Sequence, residues 1–197
     1  LSEVMVVGLA VASALPLPLL PLQILYLNLV TDVFPAFALA MGEGEAGILK
    51  HPPRDPKEPI LGRWQWITIV LHGGALTAGT FGALAASSWL GLDARATVTV
   101  TFLTLAFAQL WHTFNMRDPQ SPLIANEITR NGWLWSALLL CATLLAVPPY
   151  LPPAAYLLHL APPTADMWSV VLLFSLAPLI VTQVISAVVR GRLTRVR

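Results

Sequence analysis

Apolar residues fall into six runs along the chain, at about residues 1 to 15, 22 to 41, 64 to 90, 97 to 115, 133 to 152 and 167 to 189, separated by breaks rich in proline and charge. A helix rises about 1.5 Å per residue, so crossing a hydrocarbon core of about 30 Å takes roughly 20 apolar residues. Runs of this length predict an all-α, polytopic membrane helix bundle. The first run, Glu3 to Leu15, is too short to cross. The sequence also opens on Leu rather than Met, which predicts that it starts inside a helix; with no basic leader and no small-residue cleavage site, this run does not read as a signal peptide. Pro16, Pro18 and Pro21 predict a tight hairpin between the first two runs.

Composition agrees with the pattern: 56% of residues are hydrophobic, 11% are charged, and mean hydropathy is +0.72. The net charge of +1 is uninformative, but its placement is not. Of the 11 Lys and Arg, all but Arg95 fall in Lys50 to Arg63, Arg117 to Arg130 and Arg190 to Arg197. By the positive-inside tendency these segments face the cytoplasm. The organisation expected is therefore a transmembrane hairpin at 1–41, a cytoplasmic loop at 42–63, a hairpin at 64–115, a second loop at 116–132, a hairpin at 133–189 and a basic tail at 190–197. That tail reads as a stop-transfer anchor, so no nucleic-acid partner is expected; the partner common to every segment is the lipid bilayer. Cys141 stands alone in an apolar run and offers neither a disulfide framework nor a cysteine metal site. His72, His112 and His159 lie in different segments of the chain and His51 in a loop, with no ligand spacing. Gly74, Ala78, Gly82 and Ala86, flanked by Ala75, Gly79 and Ala83, form a small-residue stripe that predicts close helix packing.

Candidate chemistry sits in the second run. Asn28, Thr31 and Asp32 interrupt it near its middle and share one helical face. A carboxylate at membrane depth costs a few kcal/mol and reads as functional. In an α-helix Pro35 cannot donate to the Thr31 carbonyl, which would leave that oxygen beside the Asp32 carboxylate, the Thr31 hydroxyl and the Asn28 amide. Glu3 lies about 13 residues before the proline turn and Asp32 about 11 after it, so both carboxylates are expected roughly 16 to 20 Å below the turn on antiparallel neighbours. Such oxygens suit a hard cation.

The string L-P-L-Q-I-L-Y-L-N-L-V-T-D-V-F-P-A, followed by H-P-P-R-D-P-K-E-P-I-L and later by F-N-M-R-D-P-Q-S, resembles the C-terminal membrane domain of cation-transporting P-type ATPases, most closely the calcium and manganese pump branch and its bacterial relatives. The resemblance implies the fifth to tenth transmembrane helices of such a pump, in a bacterial inner membrane. It makes Asn28, Thr31 and Asp32 cation ligands of the sixth helix and Glu3 a ligand of the fifth. Gln109 falls where some members carry a Glu on the eighth helix, which implies a single ion per cycle. Val33 replaces a Gly that many members use to unwind the sixth helix, which implies either that unwinding relies on the helix breaker Pro35 alone or that the site is less open than the family's.

Neither the D-K-T-G-T phosphorylation motif nor G-D-G-x-N-D occurs in the sequence. ATP and Mg would thus act only through domains outside it, and no tightly bound cofactor is expected. Calcium takes six to eight oxygens; Glu3, Asn28, Thr31, Asp32 and Gln109 offer about five or six, and the family's fourth helix supplies the rest. Three functions are compatible with these residues. The first is the transport-domain portion of a cation pump, working with an ATP-hydrolysing half. The second is a non-catalytic, pump-derived subunit packed as a scaffold in a larger membrane complex. The third, a passive cation pathway, ranks last because nothing suggests a gate.

Overall fold

A computed structural model describes residues 1–41, 61–116 and 126–193. The connectors at 42–60 and 117–125, with the P-P-R-D-P-K-E-P segment, and residues 194–197 of the basic tail lie outside the described residues. Every regular element among the described residues is helical: α1 (Ser2–Ala12), α2 (Pro21–Asn28), α3 (Phe34–Ala40), α4 (Arg63–Trp89), α5 (Ala94–His112), α6 (Glu127–Arg130), α7 (Gly132–Ala146), α8 (Pro152–Leu157) and α9 (Ala165–Leu193). A five-residue π-helical turn, Leu29–Val33, joins α2 to α3 without a break. Four stretches are long and apolar enough to span a bilayer: Pro21–Ala40, Gln65–Trp89, Gly132–Tyr150 and Ala165–Ile185.

The termini of these helices follow from local chemistry. Pro21 opens α2 at a position that needs no N–H. The Asp93 carboxylate caps α5 by accepting from the Ala96 amide at 2.7 Å, and Gly91, with φ of 65°, supplies the left-handed turn from α4. Asn131 caps α7 by accepting from Trp133 and Leu134 at 3.0 and 3.2 Å. The fifth apolar run is shorter as a helix than the sequence suggests: α7 stops at Ala146, because Pro148 and Pro149 have no N–H to continue it, and a 3-10 turn and the short α8 follow.

The fourth apolar run becomes α5, which is 19 residues long yet falls short of the hydropathy of the four spanning stretches. Its threonines, Arg95 and Gln109 dilute it. The packing shows why this is tolerated: α5 is the central post of the bundle, wrapped by α4, α7 and α9, and every residue from Thr99 to Ala108 is buried. A helix shielded from lipid by its neighbours need not be apolar all round.

Its outer polar groups tie together the connections at one end of the bundle. Thr101 Oγ1 donates to the Pro18 carbonyl at 2.7 Å, the Ala161 amide donates to Thr99 Oγ1 at 2.8 Å, and Arg95 Nη2 donates to the Ala155 carbonyl at 3.2 Å. The small-residue stripe does bring helices close. A Cβ built on Gly79 would lie 2.7 Å from the Phe174 carbonyl, and one on Gly82 would lie 2.5 Å from the Phe174 ring, so α4 seats directly on α9 beside Pro178. Gly74, by contrast, faces open space.

Candidate functional site

At the level of the π turn the polar groups of α1, the turn itself and α5 converge. With the Asn28 amide oriented so that its nitrogen faces α1, that nitrogen donates to Glu3 Oε1 at 2.6 Å and to Oε2 at 3.1 Å. Gln109 Nε2 donates to the same Glu3 Oε1 at 3.2 Å and to Ser2 Oγ at 3.3 Å. The Thr31 hydroxyl lies 2.8 Å from Gln109 Oε1 and 3.0 Å from the Leu27 carbonyl. One network therefore links four of the five candidate ligands across four elements, α1, α2, the π turn and α5.

Asp32, the fifth, stands apart: it is exposed and has no hydrogen-bond or ionic partner among the described residues. The two carboxylates do not pair across the hairpin; Glu3 meets Asn28, one helical turn nearer the hairpin than Asp32. All five residues, together with Pro35, nevertheless line a single cavity of about 740 Å³.

The backbone beside them differs from the α-helical expectation. In the π register a carbonyl is paired with the N–H five residues on. The partner position for Val30 is then residue 35, a proline with no N–H. In that register Pro35 therefore offers the Val30 carbonyl no N–H. That oxygen points away from the cavity and accepts from the Cys141 thiol of α7 at 3.1 Å.

Three neighbours of the site escape sequence reasoning. Ser2 is buried against Gln109, and only its adjacency to Glu3 hinted at it. His72 of α4 and His112 of α5 come together with ring centroids 4.8 Å apart and line the same cavity, although no spacing in the chain connects them. Their Nδ1 atoms are engaged at 2.9 Å with the Thr68 carbonyl and at 3.2 Å with Asn115 Nδ2, respectively. Among the described residues no three His, Cys, Asp or Glu side chains gather to hold a metal ion. What the cavity offers is a mixed set of carboxylate, amide and hydroxyl oxygens, the ligand types that hard cations take.

The family described as "Cation transporting ATPase, C-terminus" matches residues 16–188. The chain is similar to a calcium-transporting ATPase of Bacillus subtilis (strain 168), with 36% identity over 177 residues, which is 89% of the chain and 20% of that protein. It is also similar to calcium-transporting ATPase 1 of Bacillus cereus (strain ATCC 10987 / NRS 248), with 29% identity over 200 residues, 93% of the chain and 22% of that protein. The chain therefore spans about a fifth of the length of these relatives.

Proposed function

Since the chain belongs to the cation-transporting P-type ATPases and represents their C-terminal membrane domain, we propose that it supplies part of an oxygen-ligand site at the bilayer midplane for the ion the pump moves. Calcium is the first candidate for that ion and manganese the second. The observation that carries this reading is the convergence of Glu3, Asn28, Thr31, Asp32 and Gln109 on one cavity. Two carboxylates supply the charge a divalent cation needs, and the amide and hydroxyl oxygens complete part of its shell. Asp32 is the ligand held ready, exposed to the cavity with its oxygens uncommitted. Phosphorylation and ATP binding belong to an ATP-hydrolysing portion that acts on this bundle through the connectors at 42–63 and 116–132, which face the cytoplasm of a bacterial inner membrane together with the tail.

A scaffold role in a larger complex has one observation in its favour: Asn28, Glu3, Gln109 and Thr31 satisfy one another's hydrogen bonds without an ion. Uptake measurements separate the two readings. Inverted membrane vesicles carrying the full-length gene product should accumulate radioactive calcium when ATP is added, with manganese competing. Vesicles that contain the protein yet accumulate neither ion support the scaffold instead.

A further inference from the structure

The helix that carries Asn28, Thr31 and Asp32 has a second face, and α7 grips it at three depths. Tyr26 Oη donates to the Leu144 carbonyl at 2.6 Å, the Cys141 thiol donates to the Val30 carbonyl at 3.1 Å, and Asn131 Nδ2 donates to the Ala38 carbonyl at 2.9 Å. The middle contact differs from the outer two. Tyr26 and Asn131 hold regular helix, whereas Cys141 reaches the Val30 carbonyl of the π turn, whose partner position in that register is Pro35, a residue with no N–H. Cys141 and Val30 are both fully buried, at 0% and 1% exposure, so water cannot replace the thiol. A sulfur–hydrogen donor is weak in general, but here it is the partner of an otherwise stranded buried oxygen.

We propose that Cys141 is a positioning residue for the cation site. By holding the Val30 carbonyl toward α7, its thiol keeps the Leu29–Val33 turn in the π register, and that register sets the direction in which the adjacent Thr31 and Asp32 face the cavity. Without the donor, the turn can relieve the unpaired carbonyl by slipping toward the α register. A slip of one residue rotates a helical side chain by about 100°, which carries Thr31 away from Gln109 and Asp32 away from the cavity. Cys141 never touches the ion, and its effect is on affinity.

This inference rests on the proposed cation site, so its test begins with the unsubstituted full-length protein in inverted vesicles and reads ATP-driven calcium uptake against calcium concentration. Cys141→Ala should raise the half-saturating calcium concentration about fivefold, the consequence of leaving one buried carbonyl unpaired, with maximal uptake largely retained. Cys141→Ser, whose hydroxyl donates to the same oxygen, should restore the original value. Leu138→Ala, on the same buried face of α7 but with no donor to lose, should lower the unfolding temperature without moving half-saturation. If Cys141→Ala moves half-saturation no more than Leu138→Ala does, or Cys141→Ser fails to restore it, the positioning role is wrong. If the unsubstituted protein takes up no calcium, the failure lies with the proposed cation site.

Discussion

The hydroxyl of Thr31 and the amide oxygen of Gln109, 78 residues apart in the chain, lie 2.8 Å from each other at the rim of the cavity. The same Gln109 donates its nitrogen to Glu3 Oε1 at 3.2 Å, so one side chain couples the π turn to α1 through the central helix. A neutral amide can do both; a carboxylate can do only the first.

Gln109→Glu should therefore keep the acceptor for Thr31 but set a second carboxylate against Glu3. Two carboxylates at that separation repel each other, and a divalent cation bound between them relieves the repulsion. Calcium affinity of the variant should therefore exceed that of the unsubstituted protein, as read from half-saturation of uptake. An unchanged or weaker half-saturation would contradict this.

Helix packing makes a separate prediction. Gly82→Leu pushes side-chain atoms into the Phe174 ring, where even a Cβ would lie 2.5 Å away. Overpacking of this kind costs about 1–3 kcal/mol. Gly74→Ala meets nothing within 4 Å and gains up to about 1 kcal/mol of helix propensity. Thermal unfolding in detergent should show the first variant melting lower and the second at or above the unsubstituted protein.

Asn131 has two roles that substitution can separate. Its oxygen caps α7 and its nitrogen holds the last turn of α3 through Ala38. Asn131→Ala loses both and should cost about 2 kcal/mol. Asn131→Asp keeps the cap and loses only the donor, so it should cost about half as much by denaturant titration. Equal losses in the two variants would mean that the cap contributes nothing, and an Asn131→Asp protein as stable as the unsubstituted one would mean that the bond to Ala38 contributes nothing.

Much of this arrangement was legible in the chain. Runs of apolar residues announce the bundle, the glycines and alanines of α4 announce close helix packing without naming the partner, and an Asp, a Thr and an Asn inside an apolar run mark the polar face of the second span. Other features were hidden for definite reasons. The π turn depends on a backbone register that Val30 and Pro35 permit but do not spell out. His72 and His112 meet only because α4 and α5 pair as a hairpin with a particular rotation. Cys141 looked like filler because its partner is a main-chain oxygen, and main-chain oxygens carry no sequence signature. The fourth run reads in sequence as a span like the others, and its lower hydropathy is explained by the central position of α5 in the bundle, shielded from lipid.

The most direct test of the cation site is Asp32→Asn in the full-length protein, read as ATP-driven calcium uptake into inverted vesicles, with an unfolding curve measured in parallel. Asp32 is exposed to the cavity and has no partner among the described residues, so the amide should change stability by no more than about 0.5 kcal/mol. Removing one of the two carboxylates should nevertheless abolish uptake. A stable Asp32→Asn protein that still concentrates calcium with unchanged half-saturation would contradict a transport role for this cavity.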